Sequence, residues 1–364
     1  MEKFSVRSSC GLCLTPGDTI HHLDHLVVIC HILHIPIVTD EESAYQSLLR
    51  YYPQVQPIYI LEHQYILNYL ADHYDMLFVS AANYRRDLTP IFDMMFCKSM
   101  RFCYCPHGNS DKPMTQFSLQ NLSLIYGGQM EERLSKTGII QQLDGYVRTG
   151  NYRFPFYWKY QAFYDAITEK EVFAKFEKKQ TTLLYAPTWQ DMEHSSSLFD
   201  VGSHIIDQLP SHYNLIVKLH PWLQHYQAGY VHLMQERYQN RPNIVILSLF
   251  PLVLPLLKRT DIYLGDLSSV GYDFLYFNRP MFFFDPKQRE RSRKDATQLY
   301  ACGTLIPEVA YHNIYRFIEH NLETQDQYKD RREQIYLYTF GRDRDFSEIR
   351  KEIINKIYSW GVKR

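Results

Sequence analysis

The sequence has little of several features that would assign it to a specialised class of protein. Its formal net charge is -1, with 39 basic and 40 acidic residues, so it lacks the basic surplus typical of proteins that bind duplex nucleic acid. Its 7 cysteines are odd in number and scattered, which excludes a disulfide framework and fits reduced thiols in a cytoplasmic protein. Cys10 and Cys13 form a lone CxxC pair, for which neither a metal nor a redox role is expected.

Long apolar runs are missing too. The strongest apolar stretches, 26–38 and 247–257, are too short to span a membrane, and each is interrupted by Pro or His. The opening residues MEKFSVRSSCGLC lack the apolar core of a signal peptide, so we expect none. The expected location is the cytoplasm, with a peripheral contact at the inner face of the membrane left open.

The chain instead shows an alternation of strand and helix patterns from end to end. This alternation is typical of α/β proteins with mostly parallel sheets, and 364 residues suffice for two domains. The aromatic and charged stretch 151–180 is predicted to be helical and to connect the two. Strands are expected at 36–39, 58–61, 76–80, 101–105, 122–126, 145–149, 181–185, 213–218 and 243–247.

The segment 261–285, DIYLGDLSSVGYDFLYFNRPMFFFD, predicts a strand, a Gly-Asp turn, a helix and a second strand. Ser268 and Ser269 open the helix, where unpaired backbone N–H groups and the helix dipole favour an anion. One interpretation is therefore a site for a phosphorylated ligand, in particular a nucleotide. The other is that the serines only cap the helix.

Three further loops follow predicted strands and carry polar side chains: Thr188 after 181–185, His220 after 213–218, and His107 after 101–105. Ligands of open α/β sheets bind at the carboxyl ends of strands. Lys218 alternates with His220, so the two side chains share one face, and a histidine there can donate to phosphate or move a proton. For each histidine the alternative is packing within a loop.

Binding a pyrophosphate needs about two positive charges, for which arginine is the better bidentate partner. The basic residues near these loops are Lys112, Arg148, Arg153, Arg259, Arg279 and Lys287. Arg153 is the strongest of these candidates because it follows a predicted strand and Gly150. The dense N-terminal histidines, among them His21 and His25, have only Asp24 as a further ligand nearby, so packing or acceptor binding is expected there in place of metal.

Taken in order, these loops resemble the CDP-glycerol glycerophosphotransferase family, whose members build teichoic-acid polymers. The resemblance covers roughly residues 100–290. It rests on the elements YAPTW at 185–189, KLHP at 218–221, GDLSS at 265–269, and the shorter matches PHG at 106–108 and GNYR at 150–153. Gly265 and Leu267 replace the family's Thr and Tyr.

The resemblance implies a GT-B fold, an α/β architecture of two Rossmann-like domains that face each other across a cleft. The implied domains are an N-terminal acceptor domain at 1–155, a nucleotide-donor domain at 156–335 and a C-terminal helix at 336–364 that packs back on the first.

The resemblance also implies an activity in the cell envelope: transfer of an alditol phosphate from CDP-glycerol or a similar nucleotide-diphosphate donor to a hydroxyl acceptor, lipid- or polymer-linked, with release of CMP. His107 would be the base, and His220 would assist the departing CMP. The implied phosphate-binding residues are Arg153, Thr188, Lys218, Asp266, Ser268 and Ser269. No metal or other cofactor is required. A sugar transferase on the same fold and a non-catalytic nucleotide-binding protein remain alternatives.

Overall fold

The computed structural model describes residues 8–14, 19–189, 196–285 and 298–359, apart from the side chains of 19–21 and 63. Lys287 lies outside the described residues, as does the His21 side chain. The chain divides into two compact units. The first comprises Met1–Asn109, Pro113–Lys159 and Tyr338–Arg364, and the second comprises Ser110–Lys112 and Tyr160–Leu337.

The first unit is built on a seven-stranded sheet with the order β3-β2-β1-β4-β5-β6-β7, in which every pairing is parallel. Its strands are β1 Ser9–Cys13, β2 Ile37–Thr39, β3 Pro57–Tyr59, β4 Met76–Val79, β5 Arg101–Tyr104, β6 Leu122–Ile125 and β7 Gly145–Arg148. From β1 the strand order runs outward through β2 to β3 on one side, and from β4 it runs outward to β7 on the other. This reversal of the strand order between β1 and β4 is the pattern of a doubly wound, Rossmann-like sheet.

Helices connect and cover these strands, as parallel pairing requires. They are α1 Thr19–Leu33, α2 Glu42–Tyr51, α3 His63–His73, α4 Tyr84–Phe96, α5 Gly128–Lys136 and α6 Arg153–Lys159. The C-terminal segment belongs to the same unit: the Tyr358 hydroxyl donates to Ser9 Oγ at 2.9 Å, and Arg101 donates to the Tyr358 carbonyl at 3.2 Å.

The second unit is built on a six-stranded sheet with the order β10-β9-β8-β11-β12-β13, again parallel throughout. Its strands are β8 Thr181–Ala186, β9 Tyr213–Lys218, β10 Ile244–Leu247, β11 Ile262–Gly265, β12 Met281–Phe283 and β13 Thr304–Leu305. β8 lies between β9 and β11, so the loops that follow these three strands are neighbours.

The remaining described helices are α7 Gln161–Glu171, α8 Leu198–Asp207, α9 Pro221–Tyr226, α10 Ala228–Tyr238, α11 Val253–Lys258, α12 Ser269–Phe274, α13 Ile314–Leu322, α14 Lys329–Phe340 and α15 Phe346–Ile353, the last followed by a π-helical turn at Ile354–Tyr358. In the second unit, apolar residues of β8, β9, α8 and α13 form one buried core. None of the helices in the described residues combines the length and apolar character needed to cross a membrane.

The prediction of an α/β protein with parallel sheets is confirmed. One departure concerns the CxxC pair, because Cys10 and Cys13 both lie in the buried strand β1, which the sequence patterns do not predict. Burial raises the pKa of the Cys10 thiol well above its ordinary value, so this cysteine is an inert core residue.

Candidate functional site

The candidate site in the second unit lies where β9, β8 and β11 end. Tyr185 of β8 is in register with Val217 of β9 and Leu264 of β11. Three residues further along the chain in each case, in the loop after the strand, lie His220, Thr188 and Leu267, the last followed by Ser268. Because the strands are parallel, these positions meet at one edge of the sheet.

Asp266 joins two of these loops. Its carboxylate is fully buried and accepts hydrogen bonds from the Thr188 backbone N–H and from the Ser197 N–H and hydroxyl, each at 2.8 Å. Burial raises the pKa of Asp266 to about 6, against the lowering effect of these donors and of Lys112. A buried carboxylate engaged in this way positions the loops that follow β8 and β11.

Ser268 and Ser269 stand at the start of α12. The Ser268 hydroxyl caps the helix by accepting from the Val270 N–H at 3.4 Å, as in the capping interpretation, and Ser269 is its first residue. Just before them, a methyl group added at Gly265 would lie 2.4 Å from the Tyr263 hydroxyl. The space of the family's Thr side chain is thus occupied by Tyr263.

His220 caps α9, and its contact defines its proton position. Nδ1 accepts from the Trp222 backbone N–H at 3.3 Å, so in the neutral ring the proton is on Nε2, which is then a donor. Lys218 is the last residue of β9 and is buried. The rings of Trp189 and Trp222 lie 6.3 and 6.4 Å from the His220 ring, between centroids.

Thr188 is buried, and its hydroxyl accepts a hydrogen bond from the Lys112 ammonium at 2.6 Å. Lys112 is assigned to the second unit together with Ser110 and Asp111. The structure thus brings a lysine from a distant part of the sequence to the loop after β8.

His107 belongs to the first unit, in the loop after β5. Its Nδ1 lies 3.3 Å from the Ser80 carbonyl oxygen, and its ring stacks on that of His22 at 3.7 Å between centroids. Solvent reaches part of the His107 side chain. The protein packed around the ring nevertheless disfavours its charged form, and this desolvation lowers the pKa of His107 from 6.5 to about 4. Gly108 has a φ of 138°, a conformation that favours glycine.

Arg153, also in the first unit, is engaged by a carboxylate. Its guanidinium, 3% exposed, donates to Asp24 at 2.9 Å. The other Asp24 oxygen accepts from the Tyr52 hydroxyl at 3.2 Å. This buried ion pair gives Arg153 a structural partner within its own unit.

The N-terminal histidines are held by packing and hydrogen bonds where they are described. The Tyr126 hydroxyl lies 2.6 Å from His25 Nδ1 and donates to the Pro106 carbonyl at 2.7 Å, so His25 Nδ1 is the donor in the first contact. Within the described parts of the chain, no group of three or more His, Cys, Asp or Glu is placed to hold a metal ion.

Two residues that contact candidate site residues are not marked by any motif in the sequence. Ser197, which donates to Asp266, directly precedes α8 and belongs to no motif, so no sequence signal marks it. His22 belongs to the histidine-rich N-terminal stretch, and its stacking on His107 depends on the fold.

Known proteins resemble this chain in sequence and in fold. A family model described as CDP-Glycerol:Poly(glycerophosphate) glycerophosphotransferase matches residues 162–343, half of the chain. The teichoic acid glycerol-phosphate primase of Bacillus subtilis (strain 168) is 30% identical over 113 residues, a match that covers 29% of this chain and 26% of that protein. The chain therefore matches about a quarter of the length of this curated relative.

Two solved structures are similar in fold. The wall teichoic acid polymerase TagF has a TM-score of 0.66 at 12% identity and covers 100% of this chain and 91% of its own. MnaA of S. aureus, solved with UDP, has a TM-score of 0.59 at 13% identity, with 97% and 96% covered. These likenesses confirm the predicted GT-B fold, and the match at 162–343 shows that the chain belongs to the CDP-glycerol:poly(glycerophosphate) glycerophosphotransferase family.

Proposed function

We propose that this protein transfers an alditol phosphate, glycerophosphate in the simplest case, from a CDP-linked donor to an acceptor hydroxyl and releases CMP. The observation that carries the proposal is the shared edge of β9, β8 and β11, where the loops of His220, Thr188 and Ser268 meet. These loops all lie within the range that the family model matches.

In the proposed reaction, Nε2 of His107 takes the proton of the acceptor hydroxyl, whose oxygen attacks the β-phosphorus of the donor. A new P–O bond to the acceptor forms as the bond from that phosphorus to the bridging oxygen breaks, and its electron pair leaves with CMP. His220, donating through Nε2, and the ammonium of Lys218 stabilise the negative charge that moves onto CMP. Preorganised donors of this kind are usually the main catalytic contribution in phosphoryl transfer.

The supporting groups have distinct parts in this proposal. Ser268 and Ser269 offer hydroxyl and backbone donors to the donor phosphates at the start of α12. Thr188 lies on the adjoining loop, and Asp266 fixes that loop through the Thr188 backbone N–H. Arg153 is assigned to the stability of the first unit through Asp24.

The nature of the donor receives support from the similar structures. A variant of TagF was soaked with CDPG in two further structures, and MnaA was solved with UDP. The UDP complex also keeps open a second function, transfer of a sugar from a nucleotide sugar. The product distinguishes the two, because the first makes a phosphodiester and the second a glycoside.

The first test is thermal stabilisation of the purified chain by CDP-glycerol, CDP-ribitol, CMP, UDP-sugars and GDP-sugars. A ligand at a hundred times its Kd adds about 2.7 kcal/mol to the free energy of unfolding. We expect stabilisation by the cytidine diphosphates. Stabilisation by UDP- or GDP-sugars alone would favour a glycosyltransferase, and binding of CDP-glycerol without turnover over a broad acceptor panel would indicate a non-catalytic relative.

A further inference from the structure

The tripeptide Ser110–Lys112 is assigned to the second unit, although the residues on both sides of it in the sequence are assigned to the first. We call this tripeptide the arm. Its last two residues are charged and half-buried, and both make side-chain hydrogen bonds with residues of the second unit.

Asp111 holds the arm at two places. Its Oδ1 accepts from the hydroxyl of Tyr272 at 2.7 Å, and its Oδ2 accepts from the backbone N–H of Leu299 at 3.2 Å. Tyr272 is fully buried in α12, the helix that Ser268 caps. Asp111 therefore fixes the arm to the same helix whose first residues are proposed to bind the donor.

Lys112 extends to the neighbouring loop. Its ammonium donates to the Thr188 hydroxyl at 2.6 Å, so the arm connects the loop after β8 with the helix after β11. These strands are adjacent in the sheet. This contact places the ammonium of Lys112 beside Thr188.

We propose that the arm is part of the donor site: Lys112 binds the diphosphate of the donor, and Asp111 is a positioning residue that holds Lys112 beside Thr188. This inference rests on the proposed function, because it assigns a ligand to the same edge of the sheet. A lysine suits the role, since its compact ammonium acts on phosphate as a point charge.

The structural alternative is that Lys112 only offsets the buried charge of Asp266. The Asp266 oxygens accept from Thr188 and Ser197, while Lys112 donates to the Thr188 hydroxyl, so the lysine acts on that carboxylate through space. In the alternative, removal of the charge changes stability alone. In the proposal, it changes affinity for diphosphates.

The test compares Lys112→Met, Lys112→Arg and Asp111→Asn with the wild-type chain by isothermal titration calorimetry. The probes are CDP-glycerol, CDP, UDP, CMP and inorganic pyrophosphate. Lys179→Met is the matched control, because Lys179 is exposed and precedes β8, at the opposite edge of the same sheet. Thermal melts of every variant verify that it is folded.

We expect Lys112→Met to weaken CDP-glycerol and CDP binding at least about tenfold and CMP binding less, since a charge-assisted hydrogen bond is lost. Lys112→Arg retains most of the affinity, Asp111→Asn lowers it in the same direction, and Lys179→Met leaves it unchanged. Diphosphate affinity in Lys112→Met equal to wild type, with only a lower melting temperature, would overturn the proposal in favour of the structural alternative.

The two proposals fail in different ways. If the wild type binds UDP but not CDP compounds, the proposed donor is wrong, and loss of UDP binding in Lys112→Met still supports the arm. If the wild type binds CDP-glycerol and Lys112→Met binds it equally, the arm is wrong and the proposed donor stands. If the wild type binds no diphosphate, pyrophosphate included, both are wrong.

Discussion

Nδ1 of His107 lies 3.3 Å from the carbonyl oxygen of Ser80. A carbonyl oxygen only accepts, so in this contact Nδ1 carries the proton, and Nε2 of the neutral ring keeps its lone pair. The pKa of His107, lowered to about 4 by burial, keeps the ring neutral at pH 7. The first unit thus presents a histidine in the form that a general base requires.

Replacing His107 by Asn tests this role with the Ser80 contact retained, because the amide nitrogen donates from about the place of Nδ1. We expect turnover to fall at least about a hundredfold, the usual contribution of a positioned base. The affinity for CDP-glycerol, measured by calorimetry, stays close to that of the wild type. Near-normal turnover in His107→Asn would remove His107 from the mechanism.

The lowered pKa of His107 predicts how the rate depends on pH. The base stays unprotonated until the pH approaches about 4, so kcat/KM holds its plateau well below the ordinary histidine value of 6.5. A pH–rate profile on the acid side checks this. A decline centred near 6.5 would show that a different or an unperturbed histidine supplies the base.

For His220, two substitutions separate capping from catalysis. Asn keeps an acceptor near Nδ1 for the Trp222 N–H, and Gln keeps a donor near Nε2. If Nε2 assists CMP, His220→Asn remains folded and loses at least about tenfold in turnover, whereas His220→Gln keeps more activity. The reverse order, with His220→Gln the slower enzyme, would reduce His220 to a helix cap.

Asp266→Asn places an amide NH2 against N–H and hydroxyl donors of the neighbouring loops. We expect it to lower the free energy of unfolding at neutral pH by about 1–3 kcal/mol and to weaken donor binding. Asp261→Asn is a suitable control, since Asp261 is exposed and accepts from the Thr182 N–H at 2.8 Å at the other edge of the sheet. Equal stability loss in both variants would contradict the organising role of Asp266.

The carboxyl group of Asp266 also makes the stability of the protein depend on pH. Its pKa of about 6 in the folded state is above its ordinary value of 3.8, so the folded state binds the proton more tightly. Its contribution to stability therefore rises by about 1 kcal/mol as the pH falls from about 7 to about 5. Denaturant unfolding of wild type and Asp266→Asn should show this difference, and parallel curves would contradict it.

The Arg153–Asp24 pair predicts a stability effect without a donor effect. Arg153→Met removes the guanidinium that is paired with the partly buried Asp24 and should lower the free energy of unfolding by about 3–5 kcal/mol, part of which the double variant Arg153→Met/Asp24→Asn recovers. Chemical denaturation measures the recovery. Weak CDP-glycerol binding in a double variant whose stability is restored would return Arg153 to the donor site.

Much of the fold follows from the sequence because strands of parallel sheets are short apolar runs between turn residues. The pattern locates β9 at 213–218, as observed, and the ends of β5, β6 and β7 within one residue. β1, in contrast, reads Ser-Cys-Gly-Leu-Cys, and these small residues show no clear periodicity. Its central place in the sheet comes from pairing with β2 and β4, which no local pattern encodes.

The candidate site, like the fold, is only partly predictable from the sequence. Residues that follow strands are visible in the sequence, whereas their partners lie far away along the chain. Lys112 meets Thr188 across 76 residues, and Ser197 meets Asp266 across 69. Spacing therefore identifies Asp266 as part of the site but not as the link between two loops, a role that depends on burial and on these distant donors.

The most direct test of the proposed reaction identifies its phosphorus-containing products. The wild-type chain is incubated with CDP-glycerol and a panel of glycerol-phosphate-terminated acceptors, and the products are analysed by phosphorus NMR. We expect equal amounts of CMP and of a new phosphodiester, with both signals reduced at least about tenfold in His220→Asn. Binding of CDP-glycerol with no CMP and no phosphodiester, or formation of a glycoside from a nucleotide sugar, would contradict it.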